Sequence, residues 1–219
     1  MRIAQRRRAI SYQMVKYSYM TDILHRLKCH ALRNGLWLLL VGLCFVLQLL
    51  PTETVYFERQ QIAQGELWRL LSGHFVHFNW SHFSLNMAGL FMVWLFFRHY
   101  QRQAYWMLGV VLIALLCSVG LYADGQLASY VGLSGVLHGL FMLGALYERK
   151  RYPLSGVVLL CLLLGKLLWE QWQGGLPGSE ALSGGRVAVN AHLYGALAGL
   201  LYYLLAGMLI KRKSANKRK

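Results

Sequence analysis

Charge is scarce in this chain, and negative charge scarcest. Of 219 residues, 14% are Asp, Glu, Lys or Arg, and only 8 are acidic. A soluble domain of this size carries about a quarter charged residues, so a soluble globular fold is excluded. Proline occurs three times (Pro51, Pro153, Pro177), each between apolar runs. No Gly/Ser/Gln-rich tract is present, which excludes long disordered linkers beyond the two tails. Four cysteines are present: Cys44, Cys117 and Cys161 inside apolar stretches and Cys29 in a basic segment, so no disulfide framework is expected. What is abundant is apolar, 57% of the chain. The composition is that of a polytopic membrane protein.

Six stretches have the length and apolarity of bilayer-spanning segments: residues 36–50, 75–97, 104–123, 127–147, 154–168 and 187–210. None alternates with period two, so helices rather than a barrel are indicated. Arg33 can snorkel to the headgroups ahead of the first. The fifth carries Lys166, with Glu170 four residues on, a spacing that suits an ion pair near a helix end.

The 23 Lys and Arg residues give a net charge of +15, which by itself would suggest nucleic acid, but 19 of them lie in four segments. These are residues 1–33, the loops 98–102 and 149–151, and the tail after Ile210. Six spans place all four segments on one side, and the positive-inside rule makes that side cytoplasmic. The expected organisation is a basic N-terminal tail (1–33), a six-helix membrane domain (34–210) and a basic C-terminal tail (211–219), with both termini cytoplasmic. The charge then reflects topology and attraction to lipid, with no nucleic-acid partner. The first thirty residues contain no apolar core of the kind a secretory signal needs. The loop 51–74 is the longest on the opposite side, and its Glu66–Leu71 segment (ELWRLL) reads as amphipathic and interfacial, with Trp68 and Arg69 as structural anchors.

Polar side chains inside spans are costly and therefore informative. Ser134 opens the fourth span within GLSGVLHG, His192 the sixth within NAHLYGALAG, and His82 and Asn86 the second within WSHFSLNMAG. Spans two, four and six all run from outside to inside, so these residues share one depth below the outer surface. A hydroxyl, an imidazole and further donors at one depth are what nucleophilic catalysis needs. Gly135 and Gly139, with Gly195 and Gly199, are small-xxx-small pairs that let spans four and six approach closely. No carboxylate is apparent near that depth, so a Ser–His dyad is expected rather than a triad. Taken singly, Ser134 could be a small residue at a helix contact, His192 an interhelical hydrogen-bonding residue, and His82 and Asn86 helix caps. His74 and His77 are expected in a wet interfacial loop, with packing of His77 beneath the site as the alternative. His138 lies one turn after Ser134 on the same face; packing against His192 is favoured over service as the base.

At these residues the chain resembles the rhomboid family of intramembrane serine proteases. Four motifs match in order: ELWRLL, His77 with His82-x-x-x-Asn86, Gly132-x-Ser134-Gly135, and Ala191-His192-x-x-Gly195-x-x-x-Gly199. The resemblance implies a rhomboid-like six-helix core, Ser134 as nucleophile and His192 as base. It also implies His82, Asn86, Gly132 and the Ser134 N–H around the oxyanion and substrate, with His138, His77 and Gly195 behind them. Where rhomboids commonly have Tyr one turn after the nucleophile, this chain has His138. The resulting GxSGxxHG looks like the rhombosortase subfamily of bacterial rhomboid relatives. That likeness implies cleavage of GlyGly-CTERM tails, each a Gly-Gly motif, a hydrophobic helix and a basic end, on membrane-anchored exported proteins. It also implies the inner membrane as location, a site opening to the periplasmic side, and no cofactor. Two alternatives remain open within the same resemblance: an inactive relative that binds transmembrane clients, and a dyad enzyme that transfers the acyl group to an amine. A zinc protease is disfavoured because HExxH is absent and no carboxylate lies near the histidines. A transporter is disfavoured because no inverted repeat is visible.

Overall fold

A computed structural model describes residues 35–216, and side chains up to Met208. By its contacts the chain divides into Met1–Leu39 and Leu40–Lys219; the architecture below is that of the second unit, apart from residues 35–39 at the start of the first helix, which belong to the first. The expected N-terminal tail (1–33) lies outside the described residues.

The elements run α1 (Gly35–Gln48), a 3-10 turn (Thr52–Thr54), β1 (Phe57–Glu58), α2 (Arg59–Ala63), α3 (Arg69–Ser72), α4 (Trp80–Phe97) and α5 (Gln103–Asp124). They continue with β2 (Ser129–Tyr130), α6 (Ser134–Arg151), α7 (Pro153–Gln173), α8 (Ser179–Ser183) and α9 (Val189–Asn216). Four of the helices, α4, α5, α7 and α9, are long and apolar enough to cross a membrane. Helix α1 is apolar but shorter, and α6 spends its last turn on Glu148, Arg149, Lys150 and Arg151. Helix α9 continues past Ile210, where the basic residues begin, to Asn216.

Helix boundaries follow local chemistry. Residues 75–79, expected within the second span, are not helical, because Asn79 caps α4: its side chain accepts the His82 N–H at 2.7 Å. Pro153 separates α6 from α7, since the residue before proline is pushed out of the α region. Residues 127–133, also expected in a span, are instead the approach to Ser134. There β2 pairs antiparallel with β1, Phe57 opposite Tyr130. Each strand has two residues, too short for any period-two pattern to show. Further bonds fasten this approach, among them Arg59 N–H to Ala128 O (2.9 Å), Gly132 N–H to Gly73 O (3.1 Å), and the Tyr130 hydroxyl to Gly132 O.

The first loop is built on two arginines. Arg69 is only 6% exposed; it pairs with Glu66 at 2.6 Å and donates to Glu53 O and Tyr56 O. Arg59 donates to Leu121 O and Tyr122 O, the unsatisfied carbonyls at the end of α5, and to Leu127 O. Trp68, by contrast, is exposed.

The core is centred on α6, which packs most extensively on α9 and also meets α4, α5 and α7. The α6–α9 contact is backbone on backbone. A Cβ on Gly195 would lie 1.9 Å from Gly135 O, and one on Gly199 would lie 2.1 Å from Gly139 O. Large apolar side chains on the opposite faces, such as Leu162, Leu168, Phe96 and Leu204, are exposed, as expected of helices solvated by lipid.

Candidate active site

Ser134 is the first residue of α6. First-turn N–H groups have no intrahelical partner, and the helix dipole is positive there, so the Ser134 N–H can serve a negatively charged oxygen. His192, in the first turn of α9, reaches across the glycine-lined contact. Its Nε2 lies 2.9 Å from Ser134 Oγ, between residues 58 apart in sequence. His192 is 6% exposed.

The second ring nitrogen decides the tautomer. His192 Nδ1 lies 2.8 Å from Glu170 Oε2, near the end of α7. A carboxylate only accepts, so Nδ1 carries the proton and Nε2 presents its lone pair to the Ser134 hydroxyl. Glu170 is 2% exposed, and its other oxygen is held by Lys166. The expectation that no carboxylate lies near Ser134 and His192 is therefore corrected. The Lys166–Glu170 pair exists as its spacing suggested, but Glu170 faces inward. The signal in the sequence was the pair itself, an acid in an otherwise apolar helix. Its direction depends on the rotational phase of α7, which spacing to a neighbouring lysine does not reveal.

His138 stacks on His192, with ring centroids 4.0 Å apart and planes 15° from parallel. Its Nδ1 donates to Ser134 O at 2.7 Å, a bond within its own helix. The structure thus shows His138 stacked on His192 and its Nδ1–H committed to a carbonyl.

His82 is 9% exposed and faces Gly132. A Cβ on Gly132 would lie 2.8 Å from His82 Cε1, and the residue's φ is +119°, a conformation that favours glycine. The Gly132 N–H is committed to Gly73 O, so Gly132 supplies room for the His82 ring and no free donor. Asn86 is buried one turn below His82 and donates one amide hydrogen to His82 O at 3.0 Å; its second amide hydrogen remains for another acceptor.

His77 and His74 are both fully buried, contrary to the expectation of a wet loop. His77 meets His82 edge-on at 5.0 Å, and the Gln48 side chain bonds both its backbone N–H and C=O. Burial holds the His77 imidazole down to about 3 and that of His74 down to about 4. His74 Nε2 lies 2.9 Å from Ser118 Oγ, whose own hydroxyl donates to Leu70 O. Both imidazoles are kept neutral by burial, His77 against His82 and His74 against Tyr130.

A cavity of about 190 Å³ opens over Ser134 and His82, walled by Phe78, Tyr130, Val187 and Ala188, with Ser183 and Arg186 at its rim.

His138, Glu170 and His192 place possible ligand atoms within 4.8 Å of one another, and the sequence-based exclusion of metal for want of a carboxylate does not stand. The arrangement nonetheless suits a proton better than a metal ion. The two imidazoles are stacked, so their in-plane lone pairs lie in separate, nearly parallel planes, a poor arrangement for meeting at one ion. Lys166 already neutralises Glu170, and a second cation there would meet its repulsion.

Apolar helices of membrane-spanning length, packed around a half-buried serine that faces a buried imidazole, define a multi-pass membrane protein. A scan against known families matches the Rhomboid domain to residues 64–209. The chain belongs to the rhomboid family, whose members are in general intramembrane serine proteases acting on transmembrane substrates. A search of curated proteins returns no match.

Proposed function

We propose that this protein is an intramembrane serine endopeptidase in which Ser134 is the nucleophile and His192 the general base. The observation that carries the reading is the 2.9 Å approach of His192 Nε2 to Ser134 Oγ between two helices, with the tautomer set for proton abstraction. Ser134 Oγ attacks the scissile carbonyl as its proton passes to Nε2. The resulting oxyanion is received by the Ser134 N–H, with His82 and Asn86 beside it. Removal of one such donor typically costs about 3–4 kcal/mol. His192 then protonates the departing amine, and water, deprotonated by the same imidazole, releases the acyl group from Ser134.

The substrate we propose is a GlyGly-CTERM-type tail. The cavity of about 190 Å³ is smaller than typical small-molecule sites, which start near about 300 Å³. It suits residues with little or no side chain, and a Gly-Gly segment unwinds readily from a helix. The form Gly132-x-Ser134-Gly135-x-x-His138-Gly139 supports a rhombosortase-like enzyme. Six spans with both tails cytoplasmic would seat it in a bacterial inner membrane, its site opening to the periplasmic side.

The test is release, in cells, of a reporter bearing a Gly-Gly motif, a hydrophobic helix and a basic tail. The wild type is expected to release it. Ser134→Ala and His192→Ala are expected to lower the rate by roughly 10⁴-fold or more, as for other serine hydrolases. Release that survives Ser134→Ala overturns the assignment, and a wild type that binds the reporter uncut makes the protein a client-binding relative.

A further inference from the structure

We infer that Glu170 is a positioning residue for His192, the third member of a Ser134–His192–Glu170 chain whose carboxylate is itself held by Lys166. The inference rests on the serine-protease reading above and extends it beyond a dyad.

Four observations carry it. Glu170 Oε2 takes the one His192 nitrogen that does not face Ser134, at 2.8 Å. Glu170 is 2% exposed, and a buried carboxylate is costly unless paired and hydrogen-bonded. The fold meets that cost by placing Lys166 on the second oxygen. Finally, the carboxylate comes from α7 while His192 is on α9 and Ser134 on α6, so the alignment is tertiary and not a by-product of local helix geometry. An i,i+4 ion pair alone would be satisfied at a helix surface; nothing about it requires Glu170 to turn inward.

The chemistry follows from charge. When Ser134 attacks, its proton moves to His192 Nε2, and the ring becomes cationic inside a low-dielectric site. Glu170 keeps the Nδ1–H, never takes the proton, and stabilises the cation that the step creates. The groups facing His192 are Glu170 and Lys166 on α7, His138 on α6 and His82 on α4, with the Cys117 thiol of α5 on the carbonyl of neighbouring Ala191. Only Glu170 is anionic among them, so it alone can favour the imidazolium.

The test compares purified full-length wild type, Glu170→Gln and Glu170→Asp in detergent micelles. Two readouts run as functions of pH: turnover of the Gly-Gly reporter peptide, and labelling of Ser134 by a fluorophosphonate, which needs no substrate. Glu170→Gln is expected to lower kcat by roughly 10³–10⁴-fold with KM little changed, as when the triad acid is neutralised elsewhere. The acid limb of its labelling profile is expected to move to lower pH by about one unit or more, since an anion within hydrogen-bonding reach is lost. Glu170→Asp keeps the charge, so its limb is expected to stay in place with partial activity. A Glu170→Gln profile that is unmoved, whether its height is unchanged or merely reduced, overturns the inference. If Glu170→Gln does not fold, nitrogen-15 NMR of wild-type His192 decides: a protonated Nδ1 is expected, and a protonated Nε2 overturns it. A wild type that labels at Ser134 without cutting the peptide faults only the proposed substrate, and labelling still tests Glu170. A wild type that neither labels nor cuts removes the serine-protease reading, and the inference with it.

Discussion

His138 is one turn from Ser134, stacked at 4.0 Å on His192, with its Nδ1–H on Ser134 O, and we propose that it supports the base and does not serve as it. The ring therefore braces His192 from one face while Glu170 holds it edge-on. An aromatic pair of this kind is worth about 0.5–1.5 kcal/mol, a factor of about 2–13 in rate. His138→Ala is accordingly expected to slow reporter release by about tenfold, and His138→Phe, which keeps the stack, by less. A loss near that of His192→Ala would make His138 the base. Much at this scale is legible in the sequence: Ser134, His192, His82 and Asn86 announce themselves as polar groups at one depth. Glu170 does not, because a neighbouring lysine already explains it.

Among the elements, α6 and α9 have to touch through their backbones for Ser134 and His192 to meet. The glycine spacing on each helix forecasts that contact, and the structure realises it with room for no Cβ at Gly195, 1.9 Å from Gly135 O. Gly195→Ala is expected to part the helices, lowering thermal stability by about 1–3 kcal/mol or more, the cost of overpacking, and abolishing fluorophosphonate labelling of Ser134. Gly207→Ala, on the same helix with nothing within 4 Å of its Cβ, is the control. It is expected to leave labelling intact and to stabilise by about 0.5–1 kcal/mol. The segment 127–133 was legible only as apolar. Its role as a tether comes from β1–β2 pairing and from the Gly132–Gly73 bond, contacts between residues 59 to 73 apart in sequence that no local pattern encodes.

For the molecule as a whole, the helices alternate so that the starts of α4, α6 and α9 and the ends of α5 and α7 gather around the candidate site. The connections at Arg98–Arg102 and Arg151–Pro153 lie at the opposite end of the bundle and carry the basic residues. If basic charge fixes orientation, the Ser134 end faces away from the cytoplasm. Single cysteines, introduced after replacement of the native four, test this with a membrane-impermeant maleimide. Gln126→Cys and Glu180→Cys, both at exposed positions beside the site, are expected to label in cells with permeabilised outer membranes. His99→Cys and Arg151→Cys, exposed at the other end, are expected to label only after the inner membrane is broken. The reverse pattern would put Ser134 on the cytoplasmic side, out of reach of the boundary between an exported protein and its tail. Orientation is therefore a condition of the proposed substrate: the same pair of helices, inverted, would keep the chemistry and lose the client.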